Sequence, residues 1–254
     1  MAQRERLEKR RYMKLEIITH RDGRDDAVEI EYTKRTPNER PMVLDVLLQA
    51  QETSLPDLSF RFGCRARNCG VCTVDINGKP RIACRARARE GDRISAISTL
   101  PVVRDLVVRR DGVARQMRGR PSTGREANDL NVDAPETYHD LTACIECYAC
   151  LANCPMHARN FSEKSPENPG EKGEPANVEF GYRWGNPFSL LKLQRIRVDP
   201  LTTPSHAATM VENALDLGLE VCSSCPGCKC GVGINLKKDV VDELLTAAKN
   251  HTPN

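Results

Sequence analysis

Aromatic residues make up only 4% of the 254 residues, with a single tryptophan, so two modest domains are the most that apolar burial can support. No stretch approaches the roughly 18 apolar residues of a membrane-spanning helix. The start, MAQRERLEKRR, is too charged for a signal or transit peptide, so a soluble chain that is not exported is expected. Charge of one sign is not in excess either. A formal net charge of +3 argues against a dedicated nucleic-acid binder. There is no catalytic triad, no Gly-rich phosphate loop and no carboxylate pair whose settings separate its pKa values, so bond-making chemistry is expected in another chain. Cysteine, by contrast, is abundant. The twelve cysteines fall in three groups of four, at 64/69/72/84, 144/147/150/154 and 222/225/228/230, with none left over. In a reducing compartment such clusters read as metal ligands and not as a disulfide framework.

The organisation around these groups is α+β. Residues 12–19 and 27–33 alternate apolar and polar positions across RDGRDD, which predicts a hairpin. Pro41 then stands at a first-turn position of a helix whose buried face is expected to carry Val43, Leu44, Leu47 and Leu48. Asn77-Gly78 between short apolar runs predicts a type I′ hairpin that holds Cys72 near Cys84. A last strand is expected near 93–97. This makes an N-terminal domain at 1–104, followed by an Arg-rich linker at 105–135. The remainder, 136–254, reads as helical, with helices at 186–194, at 206–217 capped by Ser205, and at 236–248. In the last helix Leu236, Val240, Val241, Leu244 and Leu245 form a stripe. Residues 162–178, rich in Pro, Gly, Glu and Lys, read as a surface loop.

The first cysteine group, Cys64, Cys69, Cys72 and Cys84, is spaced C-x4-C-x2-C-x11-C. This is the plant-type signature for a rhomb of two irons and two sulfides, each iron taking two cysteines. The alternative is a zinc knuckle, but zinc sites favour pairs of C-x2-C and only one such pair occurs here. The second group, Cys144, Cys147, Cys150 and Cys154 followed by Pro155, is spaced C-x2-C-x2-C-x3-C-P. In two-cluster bacterial ferredoxins the fourth cysteine of such a run reaches across to the other cluster. The third group repeats C-x2-C-x2-C and adds Cys230. The crossed assignment is therefore Cys144, Cys147, Cys150 and Cys230 on one [4Fe–4S] cluster, with Cys154, Cys222, Cys225 and Cys228 on the other. Only one residue separates Cys228 from Cys230, a tight geometry that leaves open whether one of them is displaced.

A β-grasp [2Fe–2S] domain followed by an all-α ferredoxin-like domain with two cubane-type clusters resembles the iron–sulfur subunit of the succinate dehydrogenase/fumarate reductase family. The resemblance runs from about residue 12 to 248. It is carried by FRFGCRARNCGVCTVDINGKPRIAC, by LTACIECYACLANCP and by the CGVGIN run after the third group. It implies an electron-transfer subunit between a flavoprotein with covalent FAD, which interconverts succinate and fumarate, and a membrane anchor that binds quinone. The implied location is peripheral, on the inner face of the cytoplasmic membrane. Three departures bear on this. The family's third motif usually lacks a cysteine at the position of Cys225 and holds [3Fe–4S], so Cys225 here favours [4Fe–4S], with [3Fe–4S] if Cys225 is idle. CPMHARN stands where the family carries a quinone-pocket Trp, and Ser223 stands in place of a frequent His. The third departure is the C-x-C at Cys228 and Cys230. The alternative is the same electron wire in a soluble or peripheral flavoprotein complex that reduces another activated alkene with a non-quinone partner. A zinc-stabilised scaffold or nucleic-acid module is a remoter class.

Arg61, Arg65, Arg67, Arg81, Arg85, Arg87, Arg89 and Arg93 surround the first group against only Asp75, Glu90 and Asp92. They read either as a flavoprotein-facing patch that offsets cluster charge or as an ordinary solvated face. His157, three residues after a ligand, is expected at the surface, with a proton relay as the alternative. Trp184 is expected to pack between helices.

Overall fold

Asp22 (φ 51°) and Gly23 (φ 73°) are both left-handed, which makes the first turn the two-residue type that matches strand twist. The turn is therefore tighter than RDGRDD alone implies. The strands run to its edges, as β1 (Tyr12–Arg21) and β2 (Arg24–Thr33), paired from Tyr12↔Thr33 to Arg21↔Arg24. The computed structural model describes residues 11–120, 132–162 and 182–250. The 163–178 part of the expected loop and the 121–131 part of the expected linker lie outside the described residues.

The chain divides into two compact units. The first holds the described residues up to Arg109 together with Ile145–Ala149, and the second holds the remainder. In the first unit a five-stranded sheet has the order β2-β1-β5-β3-β4, where β3 is Thr73–Ile76, β4 is Lys79–Ile82 and β5 is Arg93–Ser95. β1 and β5 pair in parallel at its centre, and β3 pairs antiparallel with both β5 and β4. Asn77 (φ 52°) and Gly78 (φ 72°) close the β3–β4 hairpin.

Helix α1 (Val43–Glu52) begins at Met42, whose N–H donates to the Asp45 carboxylate at 3.0 Å, so Pro41 lies just outside the first turn. The buried residues of α1 are Val43, Leu44, Val46, Leu47 and Ala50, leaving Leu48 half-buried. Spacings of one, three, four and seven from Val43 define a wide helical face, and Leu48 lies at its edge. Leu15, Ile17, Leu47, Ile94 and Ile97 are among the most fully buried side chains of this unit.

Residues 105–120, where composition predicts linker, carry regular structure. β6 (Val102–Arg104) pairs with β7 (Val107–Val108), and a short helix α2 (Asp111–Arg115) follows. Buried Asp105 accepts hydrogen bonds from Arg21 Nε (3.1 Å) and from the Ser59 N–H (2.8 Å). This ties the chain end of the sheet to the segment that enters the first cysteine loop.

The second unit is built from helices: α2, α3 (Glu136–Thr142), α4 (Pro155–Ser162), α5 (Pro187–Arg197), α6 (Pro204–Asp216) and α7 (Glu243–Asn250). Asn186 caps α5 reciprocally. Its side chain accepts from the Ser189 N–H at 3.0 Å, and its own N–H donates to Ser189 Oγ at 2.9 Å. Helix α6 starts earlier than Ser205 suggests, with Thr203 at the cap and Pro204 in the first turn, where a missing N–H costs nothing. The expected helix at 236–248 is not uniform. Lys237–Asp242 forms a π-turn that leads into α7. The wider turn lets Leu236, Val240, Val241 and Leu244 all enter the core that also contains Leu190, Leu193 and Met210. Among the described residues no helix is long and apolar enough to cross a membrane.

Candidate iron–sulfur sites

The loop of the first group is wound by three left-handed residues, Arg65 (φ 54°), Arg67 (φ 63°) and Gly70 (φ 60°). Successive turns of this kind point backbone N–H groups inward and form an anion-binding concavity. Here the target is sulfur. Cys64 Sγ accepts from the N–H of Ala66 at 3.3 Å and of Asn68 at 3.2 Å. These donors, with Cys69, bring the exposed Cys64 thiol down to about 7. Cys72 and Cys84 are buried, joined through the Ala83 N–H donating to Cys72 O at 3.0 Å. Burial pushes the Cys72 thiol up to about 11, with Cys84 and then Cys69 as its charge neighbours. Cys64 thus contacts Cys69, and Cys72 contacts Cys84, two pairs bridged by Cys69. That donor set fits two irons with two thiolates each.

Gly70 makes this loop close-fitting. A Cβ there would lie 2.3 Å from Ile145 O and 2.7 Å from both N and Cα of Cys147. This backbone contact is why Ile145–Ala149, expected in the C-terminal domain, belongs to the first unit. The arginines around the loop are exposed except Arg67, which is half-buried. Arg65 lies 5.4 Å from the ring centre of Phe62, itself 43% exposed and stacked on Phe60.

In the second unit Cys154 stands at the start of α4, where its Sγ accepts from the His157 N–H at 3.4 Å. Burial raises the Cys154 thiol, with Cys225 as its charge neighbour. Burial likewise pushes Cys222 and Cys228 up to about 12. Cys154, Cys228 and Cys225 act on Cys222, and Cys154 and Cys225 act on Cys228. Cys154 is thereby gathered with Cys222, Cys225 and Cys228 and not with its own sequence group. Cys144, Cys150 and Cys230 pack against the same apolar core, while Cys147 belongs to the first unit. Cys228 faces the Cys154 set, whereas Cys230 Sγ accepts from the Val232 N–H at 3.4 Å. Among the described residues no three His, Cys, Asp or Glu side chains are arranged to hold a single metal ion.

Residues 14–115 match the family described as "2Fe-2S iron-sulfur cluster binding domain". The chain is 27% identical over 183 residues to the fumarate reductase iron-sulfur subunit of Escherichia coli O6:H1, covering 68% of this chain and 71% of that one. It is 31% identical over 157 residues to a mitochondrial succinate dehydrogenase [ubiquinone] iron-sulfur subunit of Oryza sativa subsp. japonica, covering 57% and 53%. The chain belongs to the succinate dehydrogenase/fumarate reductase iron–sulfur subunit family. This iron–sulfur subunit is also 27% identical over 240 residues to a fumarate reductase (CoM/CoB) subunit of Methanothermobacter marburgensis. That alignment takes in 92% of the present chain but only 44% of the relative, so the chain spans less than half of that protein's length. A chain of the Mycobacterium smegmatis Sdh1 complex shares the fold, at TM-score 0.75 and 22% identity over 94% of this chain and 96% of that one.

Two side chains of this iron–sulfur subunit sit differently from expectation. His157 is 2% exposed and not at the surface, with its ring edge-on to Phe161 and Tyr182 at 5.3 Å from each. It follows the buried Cys154 by one helical turn, so it turns inward with the thiol. Trp184 packs over Gly218 (φ +90°), where a Cβ would come within 2.8 Å of its ring, and Arg159 and Arg183 lie 4.9 and 5.3 Å from the ring centre. Lys237 has no signal in the sequence. Its Nζ lies 2.8 Å from Asp242 Oδ1, five residues on, and only the π-turn brings an i,i+5 pair together.

Proposed function

We propose that this iron–sulfur subunit relays electrons between an FAD-containing flavoprotein subunit that interconverts succinate and fumarate and a membrane-anchored, quinone-binding subunit. It would work from the inner face of the cytoplasmic membrane. The proposed ligand sets are Cys64, Cys69, Cys72 and Cys84 for [2Fe–2S], and Cys144, Cys147, Cys150 and Cys230 for [4Fe–4S]. Cys154, Cys222, Cys225 and Cys228 hold a second [4Fe–4S]. The observation that carries this reading is the meeting of Cys154 with Cys222, Cys225 and Cys228 in one core, a four-thiol set assembled across the two helical cysteine motifs. Bound clusters supply reversible one-electron storage. The chain's own residues set its conditions. The Ala66 and Asn68 amides favour negative charge on Cys64, and the start of α4 does the same for Cys154. The apolar core around Cys154 and Cys222 keeps water from those sulfurs. No side chain of this subunit is assigned to substrate.

The test is an iron count with EPR spectra of the anaerobically purified complex, as oxidised and after stepwise reduction. A silent oxidised sample with about ten irons per chain, two from a rhomb and four from each of two cubanes, is expected. An oxidised [3Fe–4S] signal with about nine irons would make Cys225 idle, and absence of iron and acid-labile sulfide would sink the relay altogether.

A second reading keeps the wire and changes its ends, pairing a flavoprotein for another activated alkene with a soluble, non-quinone carrier. It is favoured by Met156 and His157, buried at 0% and 2% exposure in the segment where the family carries its quinone-pocket Trp. The relative named for CoM/CoB points the same way. Co-purification with a quinone-binding membrane protein would count against it.

A further inference from the structure

One cation of the second unit is placed against the Cys154 thiol set by packing as well as by charge. The aliphatic stem of Lys237 lies over the backbone of Gly227, inside the Cys225–Cys228 loop. A Cβ at Gly227 would meet Lys237 Cβ, Cγ and Cδ at 3.4, 3.6 and 3.8 Å. Gly227 itself holds φ +126°, a conformation open to glycine, so the loop backbone runs flat beneath the lysine. Asp242 takes the ammonium at 2.8 Å, and the Lys237 side chain remains one-third exposed. From this position its charge acts on both Cys222 and Cys225.

We propose that Lys237, seated on Gly227 and anchored by Asp242, sets the reduction potential of the cluster held by Cys154, Cys222, Cys225 and Cys228. The inference rests on the reading of that set as a cluster site. A cubane on four thiolates carries about two negative charges when oxidised and about three when reduced, so a fixed cation stabilises the reduced form more. Lys237 raises the potential, and Asp242, the negative partner behind it, trims that effect. The two residues therefore act with opposite sign, which a purely structural pair does not do.

The test is potentiometric EPR on the anaerobically purified complex carrying Lys237→Gln, Lys237→Arg or Asp242→Asn, with iron counted in each. Lys237→Gln is expected to lower the reduced-to-oxidised ratio of this cluster about tenfold at fixed potential, or about 59 mV for a one-electron couple. Lys237→Arg should retain most of the wild-type value, and Asp242→Asn should shift the potential upward. The cluster on Cys64, Cys69, Cys72 and Cys84 serves as the internal control. An unchanged potential in Lys237→Gln, shifts of the same sign in Lys237→Gln and Asp242→Asn, or loss of iron from either variant would overturn the proposal. Wild-type complex with only about six irons per chain would instead overturn the cluster reading on which it rests.

Discussion

Gly70→Ala separates a steric role from a conformational one, because Gly78 provides a matched control. Both glycines hold positive φ, 60° and 72°, but a Cβ at Gly78 meets nothing within 4 Å. Gly78→Ala should therefore cost only the left-handed penalty, about 1–2 kcal/mol. At Gly70 the same penalty is joined by overlap with Ile145 O at 2.3 Å and with Cys147 N and Cα at 2.7 Å. All three are backbone atoms, so no rotamer change relieves the clash. Overpacking of this kind adds about 1–3 kcal/mol. The total, about 2–5 kcal/mol, is a large fraction of the roughly 5–15 kcal/mol that holds a domain together. At roughly 4–8 °C per kcal/mol for a unit of this size, Gly70→Ala should melt at least several degrees below Gly78→Ala. The assay is thermal unfolding of the full chain followed by circular dichroism, with iron counted per chain. Moving the Cys147 backbone should also lower iron in the Gly70→Ala variant and not in Gly78→Ala. Equal melting points and equal iron contents would refute the reasoning.

Two further outcomes are expected. Iron ligands must be deprotonated, and Cys222 and Cys228 are pushed up to about 12 while Cys64 is brought down to about 7. Between pH 7 and 9 the thiolate fraction rises about tenfold per unit at each of the two buried thiols, but by less than about twofold at Cys64. Reconstitution with iron and sulfide, followed site by site by EPR at pH 7, 8 and 9, should therefore rise more steeply at the third site. Equal slopes at the two sites would contradict the assigned environments. Asn186→Ala removes the α5 cap and leaves the buried Gln116 Oε1, 3.1 Å from Asn186 Nδ2, without that donor. The loss should be about 2–3 kcal/mol, read as a fall in denaturation midpoint, and a loss below about 1 kcal/mol would mean that the cap alone matters.

Local chemistry was the part of the fold legible in the residues. Asn77-Gly78 marks its own turn because both residues tolerate positive φ, and the wide apolar face of α1 is visible in MVLDVLLQAQ. Boundaries were less legible where two signals compete. Ser205 is a good cap, but Pro204 favours the first turn of α6 and draws the start back to Thr203. His157 illustrates a different gap. A histidine in CPMHARN reads as surface by residue type alone, yet α4 turns it inward beside Cys154. The cysteine groups were legible because spacing alone constrains them. The close approach at Gly70 and the placement of Lys237 were not. One depends on a backbone contact across more than seventy residues of sequence, the other on a π-turn that breaks the i,i+4 rule.

The thiol environments also differ in kind, and that difference bears on how the two units reach their loaded state. Cys64 is exposed and already faced by amide donors, so its charge is stabilised before any iron arrives. Cys154, Cys222 and Cys228 lie at the apolar core formed by Leu190, Met210, Val240 and Leu244. As neutral thiols they are small hydrophobic side chains and cost that core little. As bare thiolates they would be buried charges, which a core of this size cannot carry without compensation. Cluster iron supplies that compensation only if the loop around Cys225 and the start of α4 are already near each other. Folding of the helical unit and loading of its sites are therefore linked steps, whereas the first site offers a partly ionised, preformed loop. Loading should begin at Cys64, Cys69, Cys72 and Cys84, because only there does the chain hold a thiolate without the metal.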